Sequence, residues 1–152
     1  MSSVSAPCFF LIYDSEDTLL ARKRLLASKA ATSETLFVDI PAGTQRGSFV
    51  ARAILEGLGK QTGIDGEMRS AALDWANARA WAATLGIRRV VVLRAHLLTA
   101  ALLDELVSFA VITGVELTLV CVPCDSTRQQ RDALRKWGFA RREFATLLDE
   151  AA

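Results

Sequence analysis

The chain has 152 residues, one domain's length and enough to bury a core. Its 51% hydrophobic and 23% charged content is that of a soluble globular chain, and 18 Lys and Arg against 17 Asp and Glu leave a formal net charge of +1, which argues against a strongly electrostatic partner on totals alone. No apolar run approaches the roughly 18 residues of a membrane span, and residues 1–7 carry no basic residue ahead of an apolar stretch too short for a secretory signal, so the expected compartment is the cytoplasm.

Apolar runs of strand length alternate with stretches of helical period. Residues 8–13, CFFLIY, predict a strand buried on both faces. From 17 to 31 the apolar residues Leu19, Leu26 and Ala30 suggest a helix, and residues 36–40, LFVDI, a second strand. Ser48 is placed to cap a helix whose Val50, Ile54 and Leu58 share a face and which Gly59 ends. A surface loop over 59–67 leads to a helix over 68–85, with Ala71, Trp75, Ala78, Ala82 and Leu85 on one face and Gly86 as its stop. The run VVVL, residues 90–93, predicts a third strand. Thr99 then caps a helix carrying Leu102, Leu106 and Phe109 as far as Gly114, and residues 116–122 form a fourth strand. A last helical region runs from 127 to 149, broken at Gly138.

This alternation over the whole chain predicts a single α/β domain over 1–152. Its expected architecture is a three-layer one, a parallel sheet of about four to five strands with helices on both faces and right-handed crossovers. Ligands of such sheets bind at the carboxyl ends of the strands, so the informative residues follow CFFLIY, LFVDI, VVVL and TLVCV.

The loop after the first strand reads DSEDT, with Asp14, Glu16, Asp17 and Thr18 where a phosphate-binding loop would stand. Such a loop wraps phosphates with glycine N–H groups and neutralises them with a Lys. Here no glycine precedes Gly43, and the carboxylates would repel phosphate. Two readings of the acids stay open. They cap a helix and complement its dipole, or Asp14 and Asp17 hold a divalent cation as paired acids do in phospho-receiver domains. The receiver reading lacks an Asp at the end of a later strand where a phosphoacceptor belongs.

Cys8, Cys121 and Cys124 are an odd count, which suits a reducing compartment. Cys121 and Cys124 form a C-x-x-C that a dithiol redox site would use, yet Asp125 or Ser126 is the better helix cap, which leaves Cys121 inside the strand as a buried thiol. A zinc site needs about four ligands, and one His with one further Cys does not supply them, so no metal is assigned. His96, the only His, has no nucleophile partner implied by the sequence and reads as a hydrogen-bonded residue at a strand end. Arg94, at the edge of a buried sheet, calls for a carboxylate or anion, with Asp14 or Asp17 on a neighbouring first strand as candidates.

Three stretches carry a resemblance to a known family: LFVDIPAGTQRGSFVARAILEGLG (36–59), RRVVVLRAHLLTAALLDELVSFAVITGVELTLVC (88–121) and KWGFARREFATLL (136–148). Together with the order of elements they resemble the ATPase core of the AAA+ superfamily, and within it the transposition-helper, TniB-like ATPases of mobile elements. In P-loop ATPases of this kind the third strand ends Asp-Glu-Ala-His, where the Asp supports Mg²⁺ and the Glu polarises the attacking water. Ala95 and His96 match that pattern; Leu93 and Arg94 replace the two acids, and the first loop lacks its glycines. The resemblance therefore implies a pseudo-ATPase with no cofactor, whose vestigial nucleotide site is the region of Asp14, Asp17, Thr18, Arg94 and His96. It would act as an adaptor or regulator, with an active ATPase relative, a second copy of itself or DNA as partner. The rival readings are a Rossmann-like protein binding a small ligand or metal, and a dithiol oxidoreductase through Cys121 and Cys124.

Basic residues gather near the end: Arg128, Arg131, Arg135, Lys136, Arg141 and Arg142, against Asp132 and Glu143. On a helix Arg128, Arg131 and Arg135 share a face. That face contacts nucleic-acid phosphates or a protein partner, or is simply solvated. Trp137, Phe139, Phe144, Leu147 and Leu148 can cover the sheet edge.

Overall fold

Five strands, four of them apolar, lie side by side as one sheet in the computed structural model, which describes residues 9–14, 16, 19–28, 34–40, 49–60, 71–122, 127–145 and 147. In chain order the elements are β1 (Phe9–Tyr13), α1 (Leu19–Ser28), β2 (Thr35–Asp39), α2 (Phe49–Gly57), α3 (Ala71–Thr84), β3 (Arg89–Leu93), a single 3₁₀ turn (Ala95–Leu97), α4 (Ala100–Thr113), β4 (Glu116–Cys121), α5 (Arg128–Trp137) and β5 (Ala140–Arg142). The strands are ordered β2-β3-β4-β1-β5, and every pair is parallel. Register is continuous across the centre: Leu11 stands opposite Leu119 of β4, and Val90 opposite Leu117. β1 has β4 and β5 as neighbours, whereas in both the dinucleotide-binding and the flavodoxin-like orders β1 neighbours β2.

Strand alternation sorts the core into two layers. Leu11, Leu36, Val38, Val90, Val92, Leu117, Leu119 and Cys121 face one side, where they meet α2, α3, α4 and α5 through residues such as Ile54, Trp75, Leu106 and Leu134. Ile12, Phe37, Val91, Leu93 and Val120 face the other and pack on Leu25 of α1 and on Leu147, with Leu26 and Phe144 beside them. A sheet apolar on both faces must be covered on both, and the result is the expected three-layer α/β fold.

The helix boundaries follow local chemistry. Thr99 Oγ1 accepts the N–H of Leu102 at the start of α4, and the helix ends at Gly114, whose φ of 74° closes the last turn at no Cβ cost. α5 starts with a reciprocal box in which Thr127 Oγ1 accepts from the Gln130 N–H while Gln130 Oε1 accepts from the Thr127 N–H, and Gly138 at φ 70° ends it.

Several expectations need correction. After Gly138 the chain first makes a strand: Ala140–Arg142 pair with β1, Ala140 opposite Phe10, and helix is described again at 144, 145 and 147. This fifth strand carries the chain from one face to the other, so Trp137 and Phe139 pack with the first layer and Phe144 and Leu147 with the second, instead of covering one edge together. In α1 the buried residue is Leu25, while Leu19 is exposed. With Arg22, Lys23 and Arg24 between its apolar ends, that helix has no continuous apolar stripe to press on the sheet. Leu85 lies past the last residue of α3, turned away from the face that buries Trp75, Ala78 and Ala82, and is exposed. Ser48, Ala30, residues 61–67 and Leu148 lie outside the described residues.

Candidate functional site

The carboxyl edge of the sheet is where an α/β domain of this kind presents a ligand site. Reading along it gives the ends of β2, β3, β4 and β1 in spatial order, with residues Asp39, Leu93 and Arg94, Val122, and Asp14. Main-chain bonds stitch these ends together. The Ile40 N–H donates to the Leu93 carbonyl at 3.2 Å, and the Asp14 N–H to the Cys121 carbonyl at 2.9 Å. Asp14 is buried, and its Oδ1 accepts the Glu16 N–H at 3.1 Å, a side chain folding its own loop back as Asp does in turns. Asp17 and Thr18 lie outside the described residues.

Leu93, the last residue of β3, points into the second core layer with Phe37 and Val91 and is 1% exposed. Arg94 then reverses the chain with φ 59° and ψ 38°, the one non-glycine residue in the left-handed region among the described residues. That conformation costs a side-chain-bearing residue about 1–2 kcal/mol. β4 separates β3 from β1, so the strand carrying Asp14 is not the neighbour of the strand ending at Arg94; the expectation of an adjacent first strand fails because the sheet inserts its fourth strand between them. The acid brought to this edge on the neighbouring strand is Asp39, and its Oδ1 lies 3.5 Å from Nη1 of Arg22 in the first turns of α1.

His96 follows in the 3₁₀ turn and is buried. Its Nδ1 accepts the N–H of Val122 at 3.2 Å, tying the turn after β3 to the residue after β4. An accepting Nδ1 places the ring proton on Nε2 in the neutral tautomer. Gln130, reaching across from the first turn of α5, donates its amide to the carbonyl of His96 at 2.6 Å and to that of Leu98. With Oε1 engaged by the Thr127 N–H at 2.7 Å, the Gln130 amide is bonded at both ends. The turn is thus clamped between β4 and α5. Neither Gln130 nor the Arg22–Asp39 pair stood out in the sequence reading. The spacing Thr127-x-x-Gln130 is a capping-box signature that marks the first of them.

Cys121 ends β4 within the first core layer, and burial pushes its thiol up to about 12. A redox dithiol needs the opposite, a lowered pKa and access to solvent. Its sequence partner Cys124 lies outside the described residues. Among the described residues no three His, Cys, Asp or Glu side chains gather as a metal set would, and no helix is long and apolar enough to cross a membrane.

The six basic residues divide between two elements. Arg128, Arg131, Arg135 and Lys136 are exposed on α5, while Arg141 and Arg142 belong to β5 rather than to the helix. Arg142 is committed within the fold: its guanidinium lies 3.4 Å from the centre of the Phe10 ring, and its Nη1 is 3.6 Å from Glu116 Oε1. Arg141 lies 4.9 Å from the Tyr13 ring centre.

Compared with known proteins, the sequence matches no family model and no curated protein.

Proposed function

We propose that the chain is a non-hydrolysing, AAA+-like pseudo-ATPase domain that works by binding, as an adaptor or regulator in a protein or protein–DNA complex of the kind that mobile elements assemble. One observation carries this reading: at the end of β3, where such an ATPase positions its metal and its attacking water, Leu93 is buried in the core and the next residues are locked into structure. Hydrolysis needs carboxylates facing solvent and a nucleotide at this edge. Here the turn instead turns inward, with His96 held by Val122 and its carbonyl held by Gln130.

Loss of catalysis leaves the rigid three-layer body and its surfaces as the useful part of the domain. The natural partner of such a body is an active ATPase relative or a second copy of this chain. The assignment of partner rests on the family resemblance and on analogy of fold, since fold by itself does not fix function.

Two measurements test the proposal together. Incubated with Mg²⁺ and ATP, the purified protein releases phosphate no faster than buffer. Captured from its native cell and analysed by mass spectrometry, it carries a stoichiometric ATPase or nucleoprotein partner. Magnesium-dependent turnover that follows the protein through purification, or recovery of the chain alone at every concentration tried, contradicts it.

A further inference from the structure

Helices α3 and α4 meet where Trp75 tilts against Phe109, ring centroids 5.7 Å apart, and the Trp75 indole N–H donates to Glu105 Oε2 at 3.2 Å. Over this contact lies a cavity of about 270 Å³, with Arg79 on its α3 wall and Glu105 on its α4 wall. The rest of the outward surface of both helices is poor in charge. α4 carries only Asp104 and Glu105, and Asp104 accepts from Trp137 Nε1 at 2.7 Å. α3 carries only Asp74 and Arg79, and Asp74 is buried against Arg52. What faces solvent beside the cavity is small or apolar: Ala72 and Ala76 on α3, Ser108 and Ile112 on α4, with Ile112 66% exposed. A helix that is apolar nearly all round is ordinarily covered on every side, and an exposed apolar patch edged by charge marks an interaction surface.

We infer that a second copy of this chain covers this face, the α3–α4 pair of one copy packing on the α3–α4 pair of the other. The charges select that occupant, because the patch is complementary to itself. A twofold axis lying in the interface midway between Arg79 and Glu105 sets Arg79 of each copy against Glu105 of the partner subunit, and one surface supplies both members of two ion pairs. Such pairing fixes the register, and the Trp75 N–H holds Glu105 in place for it. The small side chains of Ala72, Ala76 and Ser108 let helices of the two copies approach closely, and the cavity takes up a larger side chain such as Ile112 of the partner subunit. Each helix has 14 residues, about 21 Å of length. Two such helices side by side give an interface at the small end of the specific range, so the dimer dissociates on dilution. The inference rests on the reading of the chain as a binding domain only in choosing the second copy as partner; it uses no residue of the turn after β3.

The test is sedimentation equilibrium of the full chain from micromolar to millimolar concentration. The mass is expected to rise from 16.5 kDa towards twice that value. Arg79→Glu and Glu105→Arg each set like charges against each other in both pairs and weaken the dimer by about tenfold or more. Mixing these two single variants puts opposite charges together again and restores a dimer, now mixed, to within about threefold of the wild type. Ile112→Glu, at an exposed position that leaves the monomer fold intact, also weakens the dimer by about tenfold or more and carries the test if either charge reversal fails to fold. Arg128→Glu, exposed on α5, leaves it within about twofold. A monomer at every concentration overturns the inference and hands the face to another partner. A dimer indifferent to Ile112→Glu or to both reversals uses a different surface and overturns it, as does failure of the mixed variants to associate. Phosphate release from ATP on the same samples keeps the two readings apart. A monomer that does not hydrolyse overturns the dimer alone, and a dimer that hydrolyses overturns the pseudo-ATPase reading alone.

Discussion

The side-chain amide of Gln130 donates to the main-chain carbonyl of His96 at 2.6 Å, so a residue in the first turn of α5 holds the turn that follows β3. These two residues are 34 positions apart in sequence, and between them the chain makes α4, β4 and the start of α5. The same amide group also reaches Leu98 and closes the α5 capping box. Gln130→Leu removes all three of these hydrogen bonds, and the loss of the amide from two buried carbonyls is expected to cost about 2–6 kcal/mol, at about 1–3 kcal/mol for each buried group. Urea denaturation checks it: a loss under about 0.5 kcal/mol means that water replaces the amide and the clamp is not structural.

Arg94 offers a test of backbone strain. Arg94→Gly and Arg94→Ala both delete the side chain, but only glycine adopts φ 59° without penalty. The glycine variant is therefore expected to be about 1 kcal/mol more stable than the alanine variant in parallel denaturation curves. Equal stabilities show that the left-handed turn relaxes when Arg94 is lost.

The ion pair between Arg52 of α2 and Asp74 of α3 is asymmetric. Arg52 Nε meets Asp74 Oδ2 at 3.1 Å, with the Asp74 side chain 1% exposed and that of Arg52 41% exposed. Among the described residues Asp74 Oδ1, which is buried, has no hydrogen-bond partner, so the carboxylate leans on Arg52. Arg52→Ala leaves a buried uncompensated charge and is expected to cost about 2–3 kcal/mol, below the usual 3–5 because water reaches the arginine side of the pair. Asp74→Asn leaves an arginine that turns to solvent and costs less than half as much. Equal losses in thermal or chemical unfolding contradict this.

Much of the fold was legible because its causes are local. Thr99 and Gly114 bracket α4, and Gly138 stops α5, by capping chemistry that needs no tertiary partner; the cap of α5 is Thr127, not Asp125 or Ser126, because only Thr127 stands three residues before Gln130 to close a reciprocal box. The runs FFLIY and RVVVL are apolar enough to be strands buried on both faces wherever they pair. Strand order is different in kind. Nothing in VVVL or TLVC says that β4 enters between β3 and β1, since order depends on where each crossover lands, so the sequence alone does not separate Asp14 from the strand next to Arg94. β5 escaped notice because three residues, two of them arginines, show no apolar alternation; its place depends on pairing with β1 and on Arg142 lying over Phe10. At the candidate site it was visible in the sequence that the third strand ends in Leu93 and Arg94 and not in acids. The clamp that closes the turn was not, because Gln130 acts across the fold.

Cys121 makes stability depend on alkaline pH. Burial raises its thiol from 9.0 to about 12 in the folded chain. Between those values the unfolded chain has released a proton that the folded chain keeps. The stability this group contributes is therefore complete below pH 9 and lost as pH rises towards 12, at about 1.4 kcal/mol per pH unit. Relative to Cys121→Ala, the protein should lose nearly that increment between pH 10 and pH 11, where the unfolded thiol is ionised and the folded one is not. At pH 8 the native thiol should react far more slowly with thiol reagents than a free cysteine does. Rapid modification of Cys121 at pH 8 in the folded state returns the dithiol reading to consideration.

Thermal unfolding with and without millimolar Mg²⁺ and ATP tests directly whether the domain has lost its nucleotide site. A nucleotide that binds only the folded state at a hundredfold over its dissociation constant adds about 2.7 kcal/mol, which for a domain of this length raises the midpoint by roughly 5–10 °C. With Leu93 buried at the end of β3, no rise beyond that produced by Mg²⁺ alone is expected. A rise of several degrees that grows with ATP concentration would contradict that expectation.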